Sequence, residues 1–184
     1  MRASWPCEYL LLGLLEQQPM HGYDLAQRLG NDDALRSIWR FKRSEVYFLL
    51  GKLAARGLVD ELGDTELTRF VVKRQESGPP RQIYWVTAGG RTALAEWITT
   101  PVNKPHDMRA CFLAKLYLAM QRGPSVALML VARQSQTLRG WQERLAPLAA
   151  SDSFPSLVYR LRLAQVEAAL NVLDELHRTL EAQQ

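Results

Sequence analysis

"RFKRSEVYFLLGKLAARGLV", residues 40 to 59, decides the fold. Val46, Leu49, Leu50 and Leu53 stand at i, i+3, i+4 and i+7, the spacing of one apolar helix face. Ser44 is placed to cap the start, because its hydroxyl can accept an orphan backbone N–H, and Gly57 to end the helix. With the leucines turned inward, Ser44, Glu45, Phe48, Gly51, Lys52 and Ala55 face outward and Tyr47 stands at the border. Arg40, Lys42 and Arg43 crowd the entry. Taken alone, the stretch is either a solvated basic face or a helix whose N-terminal end reads a groove while nearby cations hold phosphates.

Working outward, an earlier helix spans about Ser4 to Gln17, with Pro6 in its first turn and a stripe of Leu10, Leu11, Leu14 and Leu15. Pro19 ends it. "MHGYDLAQRLG" gives a second short helix whose apolar positions are Tyr23, Leu25, Ala26 and Leu29. "NDDALRSIWRFKR" reads as a polar connection. Beyond the opening stretch, Leu67–Val72 and Arg81–Thr87 read as strands, and "KRQESGPP" between them as a hairpin tip. A further helix carries Leu94, Trp97 and Ile98. Three short helices followed by a two-stranded ribbon is the order of a winged helix-turn-helix.

Charge follows that plan. The 184-residue chain carries a net +4, a mild excess. Its distribution is more telling: between Arg36 and Arg56 six cations face one carboxylate, and between Arg69 and Arg81 four face one. The second cluster, with Lys73, Arg74 and Arg81 around a Gly-Pro-Pro tip, makes a basic wing suited to gripping a nucleic-acid backbone beside the helix.

Pro101 to Pro105 marks a boundary, giving domains at 1–100 and 101–184, and the remainder reads as all helix: Met108–Gln121, then Ser125 to Trp141 or Leu145, then Leu157–Leu180. The last has two apolar rows: Leu157, Leu161, Ala164, Ala168 and Val172, and Val166, Leu170, Leu173, Leu176 and Leu180. Two rows imply a helix contacted from more than one side. Leu157, Leu161, Val172, Leu173, Leu176 and Leu180 are therefore the candidate dimerisation residues.

Other classes find little support. There is no G-x-S-x-G, P-loop or H-E-x-x-H pattern, and the carboxylates are scattered, so no catalytic set and no enzyme is expected. Cys7 and Cys111 lie far apart and the three histidines are dispersed, so neither a metal site nor a cofactor is expected, and reduced thiols in a cytoplasm are the simple reading. The apolar run Tyr9–Leu15 is flanked by Glu8 and Glu16 and is too short to span a bilayer.

Taken together, "PMHGYDLAQRL", the pattern S-x-x-Y-x-x-L-x-x-L-x-x-x-G-L-V from Ser44 to Val59 and R-x-x-Y-x-x-T-x-x-G from Arg81 to Gly90 resemble the PadR family of bacterial transcriptional regulators over about residues 8 to 100. The resemblance implies a winged-helix DNA-binding domain, a homodimer joined through C-terminal helices, and a repressor that binds a pseudo-palindromic operator. It puts Ser44 and Tyr47 on the recognition helix and Arg81 at the wing base. The tip departs from the family's Gly-Arg-Pro-like pattern, reading Gly78-Pro79-Pro80-Arg81.

The expectation is a mainly α, cytoplasmic, homodimeric regulator: a winged helix-turn-helix domain followed by a helical dimerisation region. Arg40, Lys42, Arg43, Ser44, Tyr47, Phe48, Lys52, Lys73, Arg74 and Arg81 are its double-stranded-DNA contacts. The resemblance also implies release by a small aromatic effector, for which Trp97 is the candidate. Trp97, Trp141, Phe112, Tyr117, Met120 and Met129 could line an aromatic pocket, but side chains of this kind at helical spacing are more often core or dimer interface, and that reading is favoured. The alternative is a helical protein-interaction module that turns its basic surface to an acidic protein partner.

Overall fold

The computed structural model describes residues 8–62 and 82–182. The chain divides into two compact units, Met1–Trp97 and Ile98–Gln184.

In the N-terminal unit, α1 (Glu8–Gln17) is buried along almost its whole length, with Leu10, Leu11, Leu12 and Leu14 fully enclosed. The short strand β1 (Met20–His21) leads into α2 (Gly22–Asn31), which buries Leu25 and Leu29. α3 (Asp33–Ile38) follows, then α4 (Arg43–Ala55), β2 (Val59–Leu62), β3 (Ile83–Val86) and α5 (Ala88–Thr99). β3 is the central strand of an antiparallel sheet ordered β1-β3-β2, with Met20 opposite Tyr84 and Val59 opposite Val86. This is the winged-helix arrangement, and of its three described strands only β3 was expected.

Several expectations are corrected. The supposed polar connection contains α3, because the Asp32 carboxylate accepts the N–H groups of Ala34 (2.9 Å) and Leu35 (3.1 Å) while Leu35 is buried. Ser44 is not the cap of α4. The helix begins two residues earlier, with Lys42 in the cap position and the Glu45 carboxylate accepting the Lys42 N–H at 3.0 Å. The strand expected at Leu67–Val72 lies outside the described residues, whereas Val59–Leu62, beyond the Gly57 stop and assigned to no element, forms a strand that pairs with β3. The expected first-helix residues Ser4–Cys7 and the hairpin tip also lie outside the described residues.

Gly57 does end α4, at φ +66°. Its N–H bonds to Ala54 O and the Leu58 N–H to Leu53 O, a Schellman pair that satisfies two terminal carbonyls.

The C-terminal unit is helical. A 3-10 turn (Pro105–Arg109) precedes α6 (Cys111–Arg122), α7 (Pro124–Leu145), a second 3-10 turn (Pro147–Ala149) and α8 (Phe154–Glu181). Pro124 opens α7 after Gly123, whose φ is +116°. Ser153 caps α8 by accepting the Ser156 N–H. The two rows of α8 separate. Val166, Leu170, Leu173 and Leu180 are buried and Leu176 half-buried, whereas Leu157, Leu161, Ala164, Ala168 and Val172 are exposed. Gln134, fully buried on α7, accepts the Val102 N–H at 2.8 Å and donates to the Val102 carbonyl, pinning the chain at the start of the unit. No helix among the described residues is long and apolar enough to cross a membrane.

Candidate nucleic-acid interface

α4 presents two faces. Val46, Leu49, Leu50 and Leu53 are completely buried against α1 and α2. On the other side Lys42, Arg43, Ser44, Tyr47 and Phe48 are exposed, Phe48 to 58% and Tyr47 to 44%. Large aromatic rings at that exposure are an unfavourable surface for a monomer in water; Phe48, and the exposed Tyr23 of α2, each carry a cation. The Arg43 guanidinium lies 4.8 Å from the centre of the Tyr23 ring, and Lys52 Nζ 5.9 Å from that of Phe48. Flat rings beside guanidinium and ammonium groups suit sugars, base edges and phosphates together. Arg40 is exposed just ahead of the helix.

Tyr23 joins this candidate surface, although its place in the sequence pattern put it in the core. It stands one position off the stripe of Gly22, Leu25 and Leu29, and it is 43% exposed. That offset from the buried spacing was the available signal.

Lys52 is placed differently from the entry cations. Its Nζ is 3.3 Å from the Glu8 carboxylate, and Arg56 reaches the other oxygen of the same group. Glu8 is fully buried. Arg56 also donates to the Tyr9 hydroxyl at 2.9 Å, and the Tyr9 ring stacks on Trp97 at 5.2 Å and 10°. The expected effector residue Trp97 is thus half-buried against Tyr9.

The sheet positions α4 from behind. Tyr84, in the middle of β3, is buried, and burial followed by the nearby Glu61 carboxylate pushes its phenol pKa upward, so it remains a donor; its hydroxyl donates to Gln82 at 3.2 Å. Thr87 donates to the Gly57 carbonyl at 2.7 Å and accepts the Gly90 N–H at 2.9 Å, clamping the end of α4 to the start of α5. Lys73, Arg74 and Arg81, the expected wing cations, lie outside the described residues. Of the expected dimerisation residues, Leu157, Leu161 and Val172 are exposed, whereas Leu173 and Leu180 are taken up by the core of their own unit. Among the described residues no group of three or more His, Cys, Asp or Glu is gathered as a metal site would require.

Residues 11–96 match the family described as the transcriptional regulator PadR-like family. No curated protein matches the chain. Among solved structures, Bacillus subtilis PadR in complex with operator DNA is 21% identical, covering 94% of this chain and 98% of that one, with a TM-score of 0.44. The same Bacillus subtilis protein in complex with p-coumaric acid is 22% identical, covering 96% and 99%, with a TM-score of 0.42. A PadR-like transcription factor from Bacteroides fragilis is 25% identical, covering 48% and 73%, with a TM-score of 0.37.

Proposed function

From the PadR-like transcriptional-regulator domain that residues 11–96 of this chain form, we propose a homodimeric repressor that inserts α4 into the major groove of a pseudo-palindromic operator. The family is one of transcriptional regulators rather than enzymes. The observation that carries the reading is the exposed face of α4: Ser44, Tyr47 and Phe48 beside Arg43 on a helix whose opposite face is sealed. Ser44, Tyr47 and Phe48 meet bases or sugars. Lys42, Arg43, Lys73, Arg74 and Arg81 meet phosphates, with Arg40 beside the DNA at the helix entry. Residues 1–100 form the DNA-binding domain and 101–184 the dimerisation region, where Leu157, Leu161 and Val172 present an unpaired apolar row to a second copy. The protein works in the cytoplasm, where its DNA is.

Salt titration tests the reading. If Lys42, Arg43, Lys73, Arg74 and Arg81 touch phosphates in both subunits, about ten contacts form, and log affinity falls with log salt at a slope of order −5 to −9. Binding to the DNA upstream of its own gene, but not to unrelated DNA, accompanies it. A flat salt dependence, or equal binding to any DNA, refutes it and leaves the acidic-protein partner as the surviving alternative.

We further propose that a small aromatic effector acts at Trp97. Its stack on Tyr9, which lies beneath Arg56, connects it to the end of α4. Tryptophan quenching by an aromatic acid, lost in Trp97→Phe, is the expected result.

A further inference from the structure

The C-terminal unit contains a cavity of about 900 Å³ that the DNA-binding reading does not use. Three elements wall it: the segment Asn103–Arg109, the end of α7, and the first half of α8. Its floor is apolar. Leu138, Trp141 and Val166 are buried there, with Leu145 and Ala169 half-buried beside them. Its rim is cationic: Lys104 and Arg109 from the 3-10 segment, Arg144 from α7 and Arg162 from α8.

We infer that this cavity binds an amphipathic anion: an apolar body larger than a single aromatic ring, ending in a carboxylate or phosphate head. Three observations converge on that class. No carboxylate among the described residues lines the cavity. Among the described residues, none of the four cations forms an ion pair; Asp107, two residues from Arg109, lies instead 3.4 Å from His106 Nε2. Four like charges around a low-dielectric wall repel one another, and an anionic head lowers that cost while the concave wall focuses their field on it. The apolar floor meanwhile withdraws the body of the ligand from water, with the Trp141 ring as its largest single surface. Finally, the volume lies near the top of the roughly 300–1,000 Å³ typical of ligand pockets, which leaves most of it empty around a single ring and fits an extended or fused body.

The test uses the full chain and no DNA, so its failure and that of the DNA-binding reading are separable. The probe is cis-parinaric acid, a fluorescent long-chain carboxylate that accepts energy from tryptophan. Saturable binding is expected, with the energy transfer falling sharply in Trp141→Phe. The uncharged methyl ester, and the Arg144→Gln/Arg162→Gln variant with the acid, should each bind about tenfold or more weakly, since charge-assisted bonds are the strong ones. Displacement by dodecyl phosphate extends the site to phosphate heads; failure to displace confines it to carboxylates. Equal binding of acid and ester, or no saturable binding, overturns the inference. So does a variant that binds the acid normally but elutes at a different oligomeric size, because the cations then serve a second copy of the chain. Arg133→Gln, on α7 but away from the cavity, controls for loss of fold.

Discussion

The Tyr47 ring rests on Gly22: a β-carbon at residue 22 would lie 2.7 Å from Tyr47 Cε1. The contact joins the "HGY" of α2 to the S-x-x-Y of α4, two motifs that are separate in sequence. It sets the direction of an aromatic ring that is 44% exposed on the proposed reading face. Gly22→Ala should therefore cost about 1–2 kcal/mol, the usual range for a mild overpacking, and weaken operator binding. In a Tyr47→Ala background the same change should be neutral or stabilising, because the helix preference of alanine over glycine, up to about 1 kcal/mol, is then unopposed. Denaturant unfolding of the four proteins in this cycle checks it; an equal cost in both backgrounds would sink the idea.

Gly90 is under a harder constraint. A β-carbon there would lie 2.0 Å from the Leu58 carbonyl oxygen, and a backbone atom cannot swing aside as a ring can. Gly90→Ala should cost about 3 kcal/mol, at the upper end for overpacking. Thr87→Val, which removes one cap from α5 and one bond to Gly57, should cost about 1 kcal/mol. Thermal unfolding separates the two, and a smaller loss for Gly90→Ala than for Thr87→Val would contradict the geometry.

These pairs show what the sequence made legible. The leucine stripe of α4, its glycine stop and the buried second row of α8 follow from 3.6-residue spacing alone. The winged-helix order follows from turn residues and β-rich runs. β1 was hidden because two residues have no period, and β2 because "VDEL" carries two carboxylates beside the buried Val59. α3 was hidden by its polar surface, with Leu35 its only buried residue. In the candidate site, the exposed residues of α4 were readable from the helical wheel. Tyr23 beside Arg43, and Glu8 holding Lys52, depend on packing between elements and leave no local pattern.

Lys115 gives the C-terminal unit a distinctive pH response. Its side chain is 3% exposed and donates to the Thr100 carbonyl at 2.8 Å, yet burial lowers its pKa to about 8. The unfolded chain then holds the proton more tightly than the folded one between about pH 8 and the ordinary lysine value, so stability rises with pH across that window. Burial pushes the neighbouring Cys111 thiol up to about 11, which works the other way: the unfolded thiol ionises first, and stability falls above its ordinary value. In Cys111→Ala the rise above pH 8 should stand out, reaching at most about 3 kcal/mol. Lys115→Met should abolish it. Unfolding free energies measured from pH 7 to 10 decide, and a flat profile in Cys111→Ala would refute the assignment.

Glu8 separates the cations of α4 into two kinds. It is fully buried and holds Lys52 and Arg56, whose side chains are 35% and 42% exposed. Burying a carboxylate is tolerable only with such partners. Because those partners are partly solvated, Glu8→Gln should cost about 1–2 kcal/mol, less than breaking a wholly buried pair. Lys52→Met should likewise lower stability, but it should leave the salt slope of operator binding unchanged, since the ammonium is already engaged. Arg43→Met, which removes an entry cation paired with no carboxylate among the described residues, should make the slope shallower by about 2 for a dimer losing one contact per subunit. Affinities across a salt series for the two variants measure the difference. A slope that drops equally in both would show that Lys52 leaves Glu8 for phosphate when DNA binds.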